Sequence, residues 1–167
     1  MPAEVRPIAV GPRSSGKKGV LMRTMLMALA VGLLAGADGA EDAVKKEKQR
    51  LEGEWSMVSG EIDRQPLPAE YVKGARRIAR GGETTVLIGG RLFMKARYTV
   101  DPGKNPRTID YVMTGGPTRG KTQLGIYELD GDTVKFCFAS PGKERPQDFT
   151  TKEGSGRTLS VWKRARK

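Results

Sequence analysis

The chain predicts an all-β fold of eight antiparallel strands, arranged as an up-and-down barrel or a sandwich. Three observations carry this expectation. Short runs rich in β-branched and aromatic residues recur at 54–62, 75–79, 83–88, 91–100, 107–113, 122–129, 133–139 and 157–164. Turn signals separate them, among them Arg64-Gln65-Pro66, Gly81-Gly82, Gly89-Gly90, Asp101-Pro102-Gly103, Gly115-Gly116-Pro117, Asp130-Gly131 and Pro141-Gly142, as in antiparallel all-β domains. No series of strand–helix–strand units lies between them, so a parallel sheet is not expected.

The elements follow in chain order. Of 167 residues, the first 37 read as an N-terminal extension and a cleaved Sec signal. Lys17, Lys18 and Arg23 form a basic region ahead of an apolar run of 13 residues, Met25 to Ala37. A membrane-spanning helix needs about 20 such residues. A short run ending in Ala35-Gly36-Ala37 instead fits a signal peptide cleaved after Ala37, with Ala40 less favoured. Met22 and Met25 offer alternative translation starts. The expectation is an extracytoplasmic protein, periplasmic or secreted, with no membrane span after cleavage.

Residues 38–52 read as a short lead-in helix. Acids at Glu41 and Asp42 precede Lys45, Lys46, Lys48 and Arg50, an order that suits the helix dipole. Val44, Lys48 and Leu51 share one narrow face. The barrel domain is then 53–167, with a single helical turn at 68–74 as an interruption.

The clearest strand is 91–100. Leu92, Met94, Ala96, Tyr98 and Val100 alternate with Arg91, Phe93, Lys95, Arg97 and Thr99, so one face is apolar and the other mostly cationic. A two-residue Gly89-Gly90 turn would pair Leu87 with Leu92 and Thr85 with Met94. At the Asp130-Gly131 hairpin, Gly125, Tyr127 and Leu129 fall with Val134, Phe136 and Phe138. Gly125 opposite a phenylalanine puts an aromatic ring over bare backbone. Cys137 falls on the other face with Leu124 and Ile126.

Composition narrows the chemistry. There is no histidine and one cysteine, Cys137, which removes His-based catalysis, His-containing zinc sites and an internal disulfide framework. No cofactor or metal site is expected. Gly115 to Thr122 matches the phosphate-loop pattern G-x4-G-K-[ST], but that motif needs a helix after it. Thr122-Gln123-Leu124-Gly125-Ile126-Tyr127 has strand composition, so a hairpin loop is expected there. Asp130-Gly131-Asp132 reads as a turn; calcium would want more oxygen ligands.

Asp110 interrupts an apolar run and reads as an ion-pair partner for Arg145. Acid–base work would need it to meet a second carboxylate such as Glu128. Cys137 reads as a buried small residue. The part after residue 37 keeps 25 basic and 18 acidic residues. These charges are scattered over several strands with no aromatic pair of the RNA-binding type, so no nucleic-acid partner is expected.

Leu51-Glu52-Gly53-Glu54-Trp55 carries a Gly-x-Trp on the first strand, similar to lipocalins, and the chain ends Val161-Trp162-Lys163-Arg164. Further residues recur in order: Gln65-Pro66-Leu67-Pro68, Ile109-Asp110, Gly120-Lys121-Thr122, Gly125 to Asp132, Cys137, Arg145-Pro146, Phe149 and Gly154-Ser155-Gly156. Over roughly 43–164 the chain resembles the planctomycete-type lipocalin-like domain, a small exported module of unassigned function. One departure is Arg64, where that family commonly has glycine. The resemblance implies an eight-stranded antiparallel up-and-down barrel with a short N-terminal helix. It also implies a clasp in which Arg164 covers Trp55, a contact worth about 0.5–2 kcal/mol.

The expected function is a non-enzymatic binding module for a small apolar ligand in the barrel. The inward candidates are Trp55, Met57, Leu87, Leu92, Met94, Tyr98, Tyr111, Tyr127, Phe136 and Phe138. An eight-stranded barrel is wide enough to be filled by its own side chains or to hold one small ligand. A solid core would leave an envelope module for proteins or polyanions, such as anionic envelope material. A carboxylate-based enzyme would need Asp110, Arg145 and a second carboxylate in one pocket. No catalytic residue is assigned.

Overall fold

A computed structural model describes residues 39–166. The expected signal segment lies outside the described residues. A helix, α1, covers 39–51. Ten further elements follow: β1 (Gly53–Ile62), β2 (Gln65–Pro66), α2 (Ala69–Gly74), β3 (Ala75–Arg80), β4 (Glu83–Ile88), β5 (Arg91–Asp101), β6 (Arg107–Gly115), β7 (Thr122–Asp130), β8 (Thr133–Phe138) and β9 (Thr158–Arg164). Consecutive long strands pair antiparallel from β3 to β9, β1 pairs with β3, and β1 also pairs with β9. That last pairing closes an eight-stranded barrel, with β2 a two-residue appendage on β1. Closure leaves no long strand edge unpaired among the described residues. The barrel, not the sandwich, is the fold.

Connections at the two ends differ. At one end lie α1, the tight turns β3–β4 and β7–β8, and the β5–β6 loop. At the other lie the longer β1–β3 and β6–β7 connections, the Gly89-Gly90 turn and the segment 139–157. α1 stops one end. Leu51 is fully buried, Val44 packs on the core, and Glu47 between them is 5% exposed. Gly53 then turns the chain into β1 at φ +111°, in the region that favours glycine. A Cβ at that position would also stand 2.9 Å from Arg164 Nη1.

The expected clasp forms here. The Arg164 guanidinium lies 4.2 Å from the Trp55 ring centre, and Trp55 is fully buried. Trp55 Nε1 donates to the Leu51 carbonyl at 3.1 Å. Arg164 Nη1 and Nη2 donate to the carbonyls of Glu52 (2.7 Å) and Arg50 (2.9 Å), and its Nε donates to Asp132 Oδ1 (3.0 Å). One side chain therefore joins both ends of the closed sheet to the C-terminus of α1.

The register of β7 and β8 is the expected one: Gly125 faces Phe138, Tyr127 faces Phe136 and Leu129 faces Val134. A Cβ on Gly125 would fall 2.5 Å from Phe138 Cδ1, so the ring fills the glycine's space. The Gly115–Thr122 segment is the hairpin loop between β6 and β7, and β7 begins at Thr122.

One hairpin differs from expectation. Leu87 pairs with Leu92, but Val86 pairs with Met94 and Thr85 with Lys95. Phe93 is the extra residue of a β-bulge, and a one-residue insertion flips the facing of what lies beyond it. Leu92 is consequently 54% exposed and takes no part in the interior. Leu87 shares its outward facing, because its neighbours Val86 and Ile88 line the interior.

Candidate functional site

The barrel interior is not solid. A cavity of about 300 Å³ lies between the core and the end opposite α1. Of the expected interior residues, Met57, Met94, Tyr111, Phe136 and Phe138 line it. The Tyr111 and Phe138 rings meet at a tilt with 4.4 Å between centres, and Phe136 stacks on Phe138 at 5.9 Å. Trp162 adds an indole whose Nε1 is satisfied by Ser160 Oγ at 3.0 Å. Such a lining, mostly apolar with a few polar groups, is what small-molecule sites use.

Trp55, Tyr98 and Tyr127 are buried on the inward face but belong to the closed end. Trp55 is occupied by the clasp. Tyr127 donates from its hydroxyl to Glu47 Oε1 at 3.2 Å. The same carboxylate receives Arg107 Nη1 at 2.8 Å and Arg50 Nη1 at 2.9 Å. Burial and the Glu47 charge hold the Tyr127 phenol well above its ordinary range. Tyr98 is pushed up to about 12, chiefly by burial. These residues shape the floor and its surroundings without lining the cavity.

The other end is a rim. Leu67 and Tyr71 come from the β1–β3 connection, Phe93 from the bulge in β5, and Pro117 and Thr118 from the β6–β7 loop. Tyr71 and Phe93 meet edge to face at 5.9 Å. The bulge that removes Leu92 from the interior thus supplies Phe93 to the mouth, where it is 46% exposed. Gly60 makes room for Leu67: a Cβ there would lie 2.4 Å from Leu67 Cδ1.

The most unusual lining residue is Arg77, on the inward face of β3 and only 1% exposed. Its Nη1 donates to the Leu51 carbonyl at 3.2 Å, and its guanidinium lies 5.0 Å from the Phe136 ring centre. Hydrophobicity gave no sign of this residue, since Arg76, Arg77 and Arg80 look alike. Register carries the signal: Arg77 pairs with Trp55 on one side and Val86 on the other, so it shares their inward facing. Ala75 and Ala79, both fully buried, flank it on the same face with little bulk. On α1 the buried position between Val44 and Leu51 is held by Glu47 and not by the expected Lys48, which is only half-buried.

Outside the barrel, Asp110 and Arg145 form the expected ion pair. Arg145 Nη1 reaches Asp110 Oδ1 at 2.5 Å and Nη2 reaches Oδ2 at 3.0 Å, while Nη1 also donates to the Gly125 carbonyl at 2.7 Å. Both carboxylate oxygens are engaged, and the arginine ties the 139–157 segment to β6 and β7. Asp101 lines the same outer groove, so a second carboxylate does share a pocket with Asp110 and Arg145, although both Asp110 oxygens are held by the arginine. Glu128 does not line that groove; it pairs with Lys135 at 3.0 Å. Cys137 is fully buried under that same segment, and burial pushes its thiol up to about 11, away from the range of a reactive thiolate. Among the described residues, no group of three or more Cys, Asp or Glu side chains is placed to hold a metal ion.

No family model, curated protein or solved structure matches this chain.

Proposed function

We propose that this protein is an exported, non-enzymatic binding module of the lipocalin-like kind that takes one small, largely apolar molecule in its barrel. The observation that carries the reading is the cavity of about 300 Å³ walled by Met57, Met94, Tyr111, Phe136, Phe138 and Trp162. It falls at the lower edge of the volumes used by small-molecule sites, roughly 300–1,000 Å³. A void of this size in a well-packed interior sacrifices contacts that larger side chains would restore, which favours a site kept open for an occupant. The engagement of both Asp110 oxygens by Arg145 supports the non-enzymatic part, since a general base must be free to take a proton. The Gly-x-Trp with its arginine clasp supports the resemblance.

The test is titration of the purified chain with N-phenyl-1-naphthylamine, a probe that fluoresces on leaving water. Emission should rise and saturate at one probe per chain. Val86→Phe, which adds bulk to the cavity wall, should abolish the rise while the variant still melts cooperatively. A wild-type chain that gives no enhancement and flies as the bare polypeptide in native mass spectrometry would reject the reading.

A further inference from the structure

We propose that the occupant is a single-chain amphiphile with a carboxylate head, bound head-inward on Arg77 with its apolar tail toward the Tyr71–Phe93 mouth. This rests on the binding reading above and names the ligand class for that same cavity. Arg77 is a lining residue, is 99% buried, and carries the cationic, donor-rich guanidinium fork of arginine. Only one edge of it is used by the fold, through Nη1 to the Leu51 carbonyl. Nε and Nη2 have no partner among the described residues.

Those two nitrogens are neighbours on one edge of the guanidinium fork. Their N–H bonds run parallel, which matches the two oxygens of a carboxylate. No acidic side chain among the described residues forms an ion pair with Arg77. A buried charge of this kind is costly unless something of opposite sign meets it. Neighbouring side chains cover both nitrogens in this structure, so the occupant supplies the counter-charge by displacing that packing as it seats. The rest of the lining sets the occupant's other end. Met94, Met57, Phe136 and Phe138 offer dispersion and hydrophobic contact, with Gln123, Thr158, Ser160 and the Tyr111 phenol as the polar exceptions, and the mouth is ringed by Leu67, Tyr71 and Phe93. The volume corresponds to about ten water-sized groups, so the tail is of medium length.

The experiment is isothermal calorimetry of the wild-type chain with decanoate and, separately, with decan-1-ol, which shares the tail and lacks the charge. Decanoate should bind at least about tenfold more tightly, as a charge-assisted bidentate pair requires. Arg77→Gln should bring decanoate down to the alcohol's affinity and leave the alcohol where it was. Should that variant not fold, wild-type chain with 13C-carboxyl decanoate serves instead: the bound carboxylate should titrate below the free acid. Equal affinities for the two probes in the wild type, or a bound carboxylate that titrates like the free acid, would overturn the head-group assignment and leave the binding module standing. Failure of both probes to bind the wild type would overturn the binding reading itself.

Discussion

Arg164 and Arg77 are both arginines on inward-facing strand positions, and the fold uses them differently. Arg164 spends every nitrogen on the fold: two backbone carbonyls, Asp132 and the face of Trp55. Arg77 spends one. The contrast gives a test at the scale of a single side chain. Arg164→Ala should cost about 2 kcal/mol, from the lost ring contact and the carbonyls left without donors. In a domain of this size that lowers the melting temperature by about 8 °C. Arg166→Ala, at an exposed position, should stay within about 0.5 kcal/mol of wild type. Equal, negligible shifts in a thermal melt would show that the clasp does not close the barrel. Arg64 is legible in the same way. It sits at φ +66° after Asp63 at φ +50°, which is why glycine suits that turn, and the fold tolerates the arginine because Asp63 is anchored to Gly156 N at 2.7 Å.

At the scale of elements, α1 is held less by its apolar face than by a charge. Leu51 and Val44 bury against the core, but Glu47 binds Arg107, Arg50 and Tyr127 at once. Glu47→Ala would strand the Tyr127 hydroxyl and release Arg107, costing about 3 kcal/mol. Hydrogen exchange should then speed up in 39–51 ahead of the strands, while Glu47→Gln should show a smaller change. Uniform exchange across helix and barrel would refute the latch. Strand positions and the β7–β8 register could be read from the chain, because alternation and a two-residue turn leave little choice of register. The β4–β5 hairpin escaped because a bulge adds a residue without altering composition. Leu92 and Phe93 are both large and apolar, and only pairing geometry decides which faces in.

For the whole molecule, burial of weak acids sets a limit at alkaline pH. Cys137 rises from an ordinary 9.0 to about 11, Tyr98 from 10.0 to about 12, and Tyr127 rises as well. A raised value means the folded chain keeps a proton that the unfolded chain has already lost. Stability from these groups is thus fully present below about pH 9 and drains away as pH climbs through roughly 9 to 12. The melting temperature should fall steadily over that window, and Cys137→Ala should delay its onset by about one pH unit, to where tyrosine begins to ionise. A flat profile from pH 8 to 11 would contradict the burial of these groups.

The sequence by itself determined the all-β class, the eight strands, the hairpin nature of the phosphate-loop look-alike and the pairing of Asp110 with Arg145. These follow from turn chemistry and period-two alternation, which are local and survive in one dimension. Turn chemistry left barrel and sandwich open and the resemblance implied the barrel; the tertiary structure decided that the sheet closes, that the interior keeps a void, and that Glu47 and Arg77 lie inside it or beneath it. Closure and cavity depend on how bulk sums around a ring of strands distant in the chain, and a buried charge is recognisable only once every neighbour that could neutralise it has been placed.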